Sequence, residues 1–67
     1  MRRDYQHAID DYTRALELED RLAEAYYNRG LARIFAKKTA EGIEDLSKAG
    51  ELGLYTAYSV IKKYREK

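Results

Sequence analysis

The chain's single histidine, His7, stands three or four residues from Asp4, Asp10 and Asp11, and in a helix Asp4, His7 and Asp11 would lie along one side. A carboxylate beside an imidazole can orient the ring, which is what a general base needs. The group such a base would activate is missing. There is no cysteine, and no serine is placed to act as a nucleophile beside His7. A solvated helix face accounts for the cluster. Asp10, Asp11, Glu44 and Asp45 could be paired as acid and base, but they recur at equal spacing because the sequence itself recurs, so the pattern reflects symmetry rather than chemistry. No glycine-rich phosphate loop and no metal-ligand spacing occurs. The expectation is a protein that is not an enzyme and carries no cofactor and no metal.

Composition narrows the partners. Thirteen lysines and arginines face 12 aspartates and glutamates, for a formal charge of +1, so no global field draws the chain to nucleic acid or to an anionic membrane. The run Lys62, Lys63, Tyr64, Arg65, Glu66, Lys67 interleaves a tyrosine with cations, as a nucleic-acid patch can. Basic residues at a helix C-terminus also complement the negative end of the helix dipole, and this second reading is the stronger. No apolar run has the length of a signal peptide or a membrane span, which leads to the expectation of a soluble, cytoplasmic protein. With 67 residues only one small core can form, and chains of this size seldom gain more than roughly 3 to 5 kcal/mol from it. Without cysteine, oligomerisation is the aid left open.

The elements follow from apolar spacing. Tyr5, Ala8, Ile9, Tyr12, Ala15 and Leu16 fall three and four apart, the period of a helix with one buried stripe. The same reading predicts helices over about Leu22 to Ala36, Ala40 to Leu52 and Tyr55 to Arg65. Asp20 and Thr39 are the expected N-caps of the second and third helices, and Gly53 the expected left-handed closure of the third. Short links predict antiparallel neighbours. Shifting the chain along itself by 34 residues sets Ile9 on Ile43, Asp11 on Asp45, Ala15 on Ala49, Glu17 on Glu51, Leu18 on Leu52 and Ala23 on Ala57. It also pairs Asp10 with Glu44, Thr13 with Ser47, Arg14 with Lys48, Tyr26 with Val60 and Tyr27 with Ile61. Such self-similarity is the mark of a helical solenoid.

These matches resemble the tetratricopeptide repeat family. Tyr26 stands at the family's tryptophan site, Gly30 at its small-residue site, and Ala8 with Tyr12 at the alanine and aromatic of the second helix, while Ala15 and Ala49 hold the later small site. Small residues there let crossing helices approach. Departures are Arg29 for leucine, Arg33 for tyrosine, Gly42 for alanine, Leu46 for the aromatic, and the lack of proline. The resemblance implies an all-α fold of about four helices in antiparallel helix-turn-helix repeats. Residues 4–19 would be the second helix of a partial repeat, 22–52 a full pair, and 55–65 a capping helix.

The family resemblance also implies a concave groove that holds a peptide or protein segment. On the second helix Glu24, Tyr27, Asn28, Leu31 and Phe35 would line it, and on the fourth Tyr58, Ile61, Lys62 and Arg65. Tyr27, Leu31 and Phe35 could equally be core of a helix buried on two sides. Asn28 matches an asparagine of the clamp that some members use for a C-terminal carboxylate, and Lys62 falls at a basic site. Tyr58, however, occupies a lysine position, which argues against a chaperone-tail receptor. The alternative function is homo-oligomerisation, with two copies covering each other's first helix through Tyr5, Ile9, Tyr12 and Leu16.

Overall fold

The computed structural model describes residues 4–65. Met1–Arg3, and Glu66 and Lys67 of the basic run, lie outside the described residues. Four helices follow one another: α1 (Tyr5–Leu18), α2 (Ala23–Phe35), α3 (Thr39–Glu51) and α4 (Thr56–Arg65), each within about one residue of its sequence-predicted span. No strand occurs among the described residues, and the fold is all-α. The main contacts run between sequence neighbours, α1 on α2, α2 on α3 and α3 on α4, with the α2–α3 interface the most extensive. No described helix is long and apolar enough to cross a membrane.

The helix ends show which local signals act. Asp4 caps α1, its carboxylate accepting from the His7 backbone N–H at 3.0 Å, so one orphan donor of the first turn is satisfied. The caps expected at Asp20 and Thr39 do not form. α2 begins from Leu22 and α3 from Lys38, neither with a side-chain cap bond, and Thr39 is already the first residue of α3. A turn at Asp20 and Arg21 separates Asp20 from the start of α2, which puts its carboxylate too early to reach the first free amides. Gly53 does close α3 as expected, at φ +113°, with Gly53 N–H donating to Gly50 O and Leu54 N–H to Ala49 O, both at 3.0 Å. α2 ends in the same manner on a residue without glycine's freedom. Lys37 adopts φ +68° while Lys38 N–H donates to Arg33 O at 2.7 Å, a closure that glycine would make with less strain.

The core is built from Ile34 of α2, Leu46 and Ala49 of α3, and Ala57 and Ile61 of α4, with Leu46, Ala49 and Ala57 wholly out of water. Two alanines at the centre keep the helices near. The closest approach lies where α2 crosses α3. A Cβ placed on Gly30 would stand 2.8 Å from the Gly42 carbonyl oxygen, and one placed on Gly42 would stand 2.5 Å from the Gly30 carbonyl oxygen and 2.6 Å from Ile34 Cγ1. Each backbone thus occupies the space of the other's missing side chain. Gly42 is the reciprocal of Gly30 and a requirement of this crossing.

Gly42→Ala gains up to about 1 kcal/mol of helix propensity but forces two backbones apart at a cost of about 1 to 3 kcal/mol. The expected result is a net loss, read as a melting temperature lowered by several degrees for a domain of this size. A melting temperature that holds or rises would show that the crossing has slack.

Candidate functional site

Two assemblies of polar side chains stand out, one inside the helix stack and one on its surface. The internal one centres on Asp45, the sole buried polar or charged side chain among the described residues, with 5% of its surface exposed. A carboxylate at that depth requires cationic partners, and α2 supplies two, one helical turn apart. Arg29 donates through Nε and an Nη to the two Asp45 oxygens, both at 2.8 Å, and Arg33 donates an Nη to Asp45 Oδ2 at 2.9 Å. The fork of Arg29 is bidentate, the strongest geometry available to such a pair. Its other Nη donates to Thr13 Oγ1 at 3.0 Å, so one guanidinium ties α1, α2 and α3 together. Arg29 also lies over the Tyr26 ring, 5.6 Å from its centroid. The hydrogen bond to Asp45 raises the Arg29 guanidinium above its ordinary range. Arg33 Nε is buried, with Glu41 Oε1 3.8 Å away, an ion pair beyond hydrogen-bond length.

Arg29 and Arg33 are therefore structural. So is Asp45, whose recurrence with Asp11 in the sequence gives no sign of its burial.

The surface assembly is an open groove of about 390 Å³ lined by Glu24, Tyr27 and Asn28 of α2 with Leu54 and Thr56 from the start of the last segment. It forms because the α3–α4 connection passes beside the first turns of α2. Of the residues expected in a groove, Glu24, Tyr27 and Asn28 are brought together. The rest are not. Leu31 is half-buried outside the groove, and Phe35 is 48% exposed with its ring 5.7 Å from that of Tyr5. Ile61 is core, 7% exposed, because it sits one turn after Ala57 on the inward stripe of α4. Tyr58 lies over Gly50, where its ring fills the space of a Cβ, and stacks near Tyr55 with centroids 6.5 Å apart. Lys62 and Arg65 are exposed away from the groove lining. Leu54 and Thr56 were not expected; Leu54 stands in the link between α3 and α4 and Thr56 is the first residue of α4, and helical periodicity carries no information about where a link places its neighbours.

The residues expected to join two copies also divide. Ile9 and Leu16 are buried, 4% and 7% exposed, so they form the seam of α1 with its own chain and are not available to a second copy. Tyr5 and Tyr12 are half-buried, Tyr5 against Phe35.

His7 stands at the N-terminal end of α1. Its Nδ1 lies 3.0 Å from Asp4 Oδ2, on the same carboxylate that caps α1. Hydrogen bonds to the His7 backbone and ring hold the Asp4 carboxyl below its ordinary 3.8. The bond to Asp4, with the fields of Asp4, Asp11 and Asp10, raises His7 above its ordinary 6.5. Among the described residues no group of three His, Cys, Asp or Glu side chains is arranged to hold a metal ion.

Two outcomes are expected. Asp45→Ala leaves two part-buried guanidiniums without their carboxylate, a cost approaching the roughly 3 to 5 kcal/mol of a fully buried pair, which rivals the whole stability of a core this size. The variant should be largely unfolded by far-UV circular dichroism at 25 °C, whereas Asp11→Ala, at the exposed counterpart, should melt like the parent. Equal behaviour of the two would dismiss the bridge as a stabilising element. The second outcome concerns pH. The raised His7 contributes stability that is complete below 6.5 and lost as pH rises through its folded value. The lowered Asp4 contributes above 3.8 and loses its part as pH falls through its folded value. The melting-temperature difference between the parent and His7→Ala should thus be largest between 3.8 and 6.5 and shrink on both sides. A difference that stays flat up to pH values well above the imidazole range would contradict the contact between the His7 ring and the Asp4 carboxylate.

Comparison of the chain with protein-family models, with curated proteins and with solved structures returns no match.

Proposed function

We propose that the chain is a tetratricopeptide-like helical-repeat module whose task is to hold a segment of another polypeptide, and that the holding site is the groove between the first turns of α2 and the α3–α4 connection. The observation that carries this reading is the convergence of Glu24, Tyr27, Asn28, Leu54 and Thr56 around one open space of about 390 Å³. Binding sites of roughly 300 to 1,000 Å³ typically combine an apolar lining with a few placed polar groups. Here Tyr27 and Leu54 supply the apolar part, and Glu24, Asn28 and Thr56 the directional part. The 34-residue register and the neighbour-on-neighbour packing of the helices support the family resemblance from which a peptide-holding role follows.

The chemistry of the lining narrows the guest. No cation lines the groove, and its one formal charge is the Glu24 carboxylate, so a lysine, arginine or neutral anchor fits better than the C-terminal carboxylate that Asn28 and Lys62 together would have received. Soluble cytoplasmic residence belongs to the same proposal, since a peptide receptor of this kind meets its guest in water.

The test is selection from a random peptide library, followed by affinity measurement of the enriched peptides on surface variants that spare the core. Tyr27 packs against the core cluster, so its removal would mix stability with binding; Glu24 and Asn28 are exposed. Glu24→Lys and Asn28→Ala should each weaken the selected peptides by roughly tenfold, about 1.4 kcal/mol, with melting temperature unchanged, while Lys62→Glu should have no effect. Failure to enrich any peptide, or equal binding by all three variants, would remove the groove as the site.

A further inference from the structure

The 34-residue register exposes an asymmetry between α1 and α3. On α3, Gly42, Asp45, Leu46 and Ala49 form the face against α2, and all four are buried. Their counterparts on α1 are Ala8, Asp11, Tyr12 and Ala15. Ala8, Tyr12 and Ala15 are only half-buried, and Asp11 is exposed. The face thus has the same layout, a strip of small and apolar side chains edged by one carboxylate, but it is left partly open. On α3 the carboxylate is held by Arg29 of α2, so a helix suited to the α1 face should bring a cation to Asp11.

The chain itself carries such a helix. Lys63 of α4 stands 34 residues after Arg29, is exposed, and lies over the ring of Tyr64 with its ammonium 5.6 Å from the centroid. Charge agrees over the wider surfaces. The exposed acidic and basic side chains of α1 and its N-cap are Asp4, Asp10, Asp11 and Glu17 against Arg14 and His7, whereas those of α4 are Lys62, Lys63 and Arg65 with no carboxylate. Opposite charge at the two ends of a chain whose formal total is only +1 favours end-to-end attraction without strong mutual repulsion.

We propose that α4 of one copy docks on the partly open face of α1 of another, with the Lys63 ammonium pairing with the Asp11 carboxylate at the place where Arg29 meets Asp45. The contact is heterologous: it joins unlike surfaces, so it continues head to tail instead of closing at a dimer. It differs from a symmetric pairing of two first helices, which the burial of Ile9 and Leu16 disfavours. One difference from the α2–α3 contact sets its strength. Tyr64 stands where α2 has Gly30, so the helices cannot cross as closely as α2 and α3 do, and the association leans on charge. It is therefore weak and salt-sensitive.

Sedimentation velocity on the full chain, from micromolar to millimolar concentration, tests this directly. At low salt, about 50 mM, the weight-average mass should climb past the dimer without a plateau, and at about 0.5 M it should return to the monomer. Asp11→Lys or Lys63→Glu alone should weaken association by roughly tenfold, and the double variant Asp11→Lys with Lys63→Glu should restore it, because the pair is re-formed with its charges exchanged. Both positions are exposed, and unchanged circular dichroism would confirm intact folding in every variant. A monomer up to millimolar concentration, a dimer indifferent to charge reversal, or a double variant as weak as the singles would each overturn the proposal.

Discussion

Asp45 is a carboxylate taken out of water, and it is tolerated there because two guanidiniums on the facing helix meet both of its oxygens at 2.8 to 2.9 Å. A buried bridge of this kind adds little net stability over an apolar set of similar volume. It fixes orientation instead. In the rotation of α3 that brings Asp45 to the α2 arginines, Gly30 and Gly42 meet and Leu46 lies at the centre of the core. Arg29 carries the constraint onward to α1 through Thr13. The glycine crossing and the ionic bridge lie on adjacent stretches of the same interface: the first sets how near the helices come, and the second sets their rotation.

The groove follows from that placement. With α3 fixed on α2, the glycine closure at Gly53 sends the chain back across the first turns of α2, which sets Leu54 and Thr56 beside Glu24, Tyr27 and Asn28. Tyr58 seats on Gly50, and Ala57 and Ile61 complete the core. The proposed binding surface is thus assembled by a turn and an ion bridge that take no part in binding. The same bridge explains the proposed contact between copies, since the α1 face repeats the layout of α3 without the arginines.

Much of this architecture is legible in the sequence, and the parts that are not share a cause. Apolar spacing locates four helices and the 34-residue register relates them, because both depend on which side of a helix must leave water. The same logic fails where partners lie on different elements. Arg29 and Arg33 look like departures from a pattern, and Asp45 like one of several repeated surface acids, until the helices are set side by side 12 and 16 residues apart in sequence. Ile61, Ile9 and Leu16 lie on the apolar stripes, but periodicity does not say whether such a stripe meets its own chain or a guest. Asp20 and Thr39 have the residue types of N-caps; helix capping depends on the backbone of one residue, and an offset of a position or two suffices to defeat it. Glu24, Tyr27 and Asn28 were identifiable because the family resemblance designates that face of α2, whereas Leu54 and Thr56 depend on the path of a link.

Native-state hydrogen exchange, resolved by residue, addresses the central claim that the α2–α3 pair is the unit on which the other helices lean. The amides flanking the Gly30–Gly42 crossing and Asp45 should exchange only through global unfolding, while those of α1 and α4 open at lower free energy, in separate local steps. If α1 or α4 proved as protected as the crossing, or if α2 and α3 opened first, the bridge and the glycine contact would not be what organises this fold.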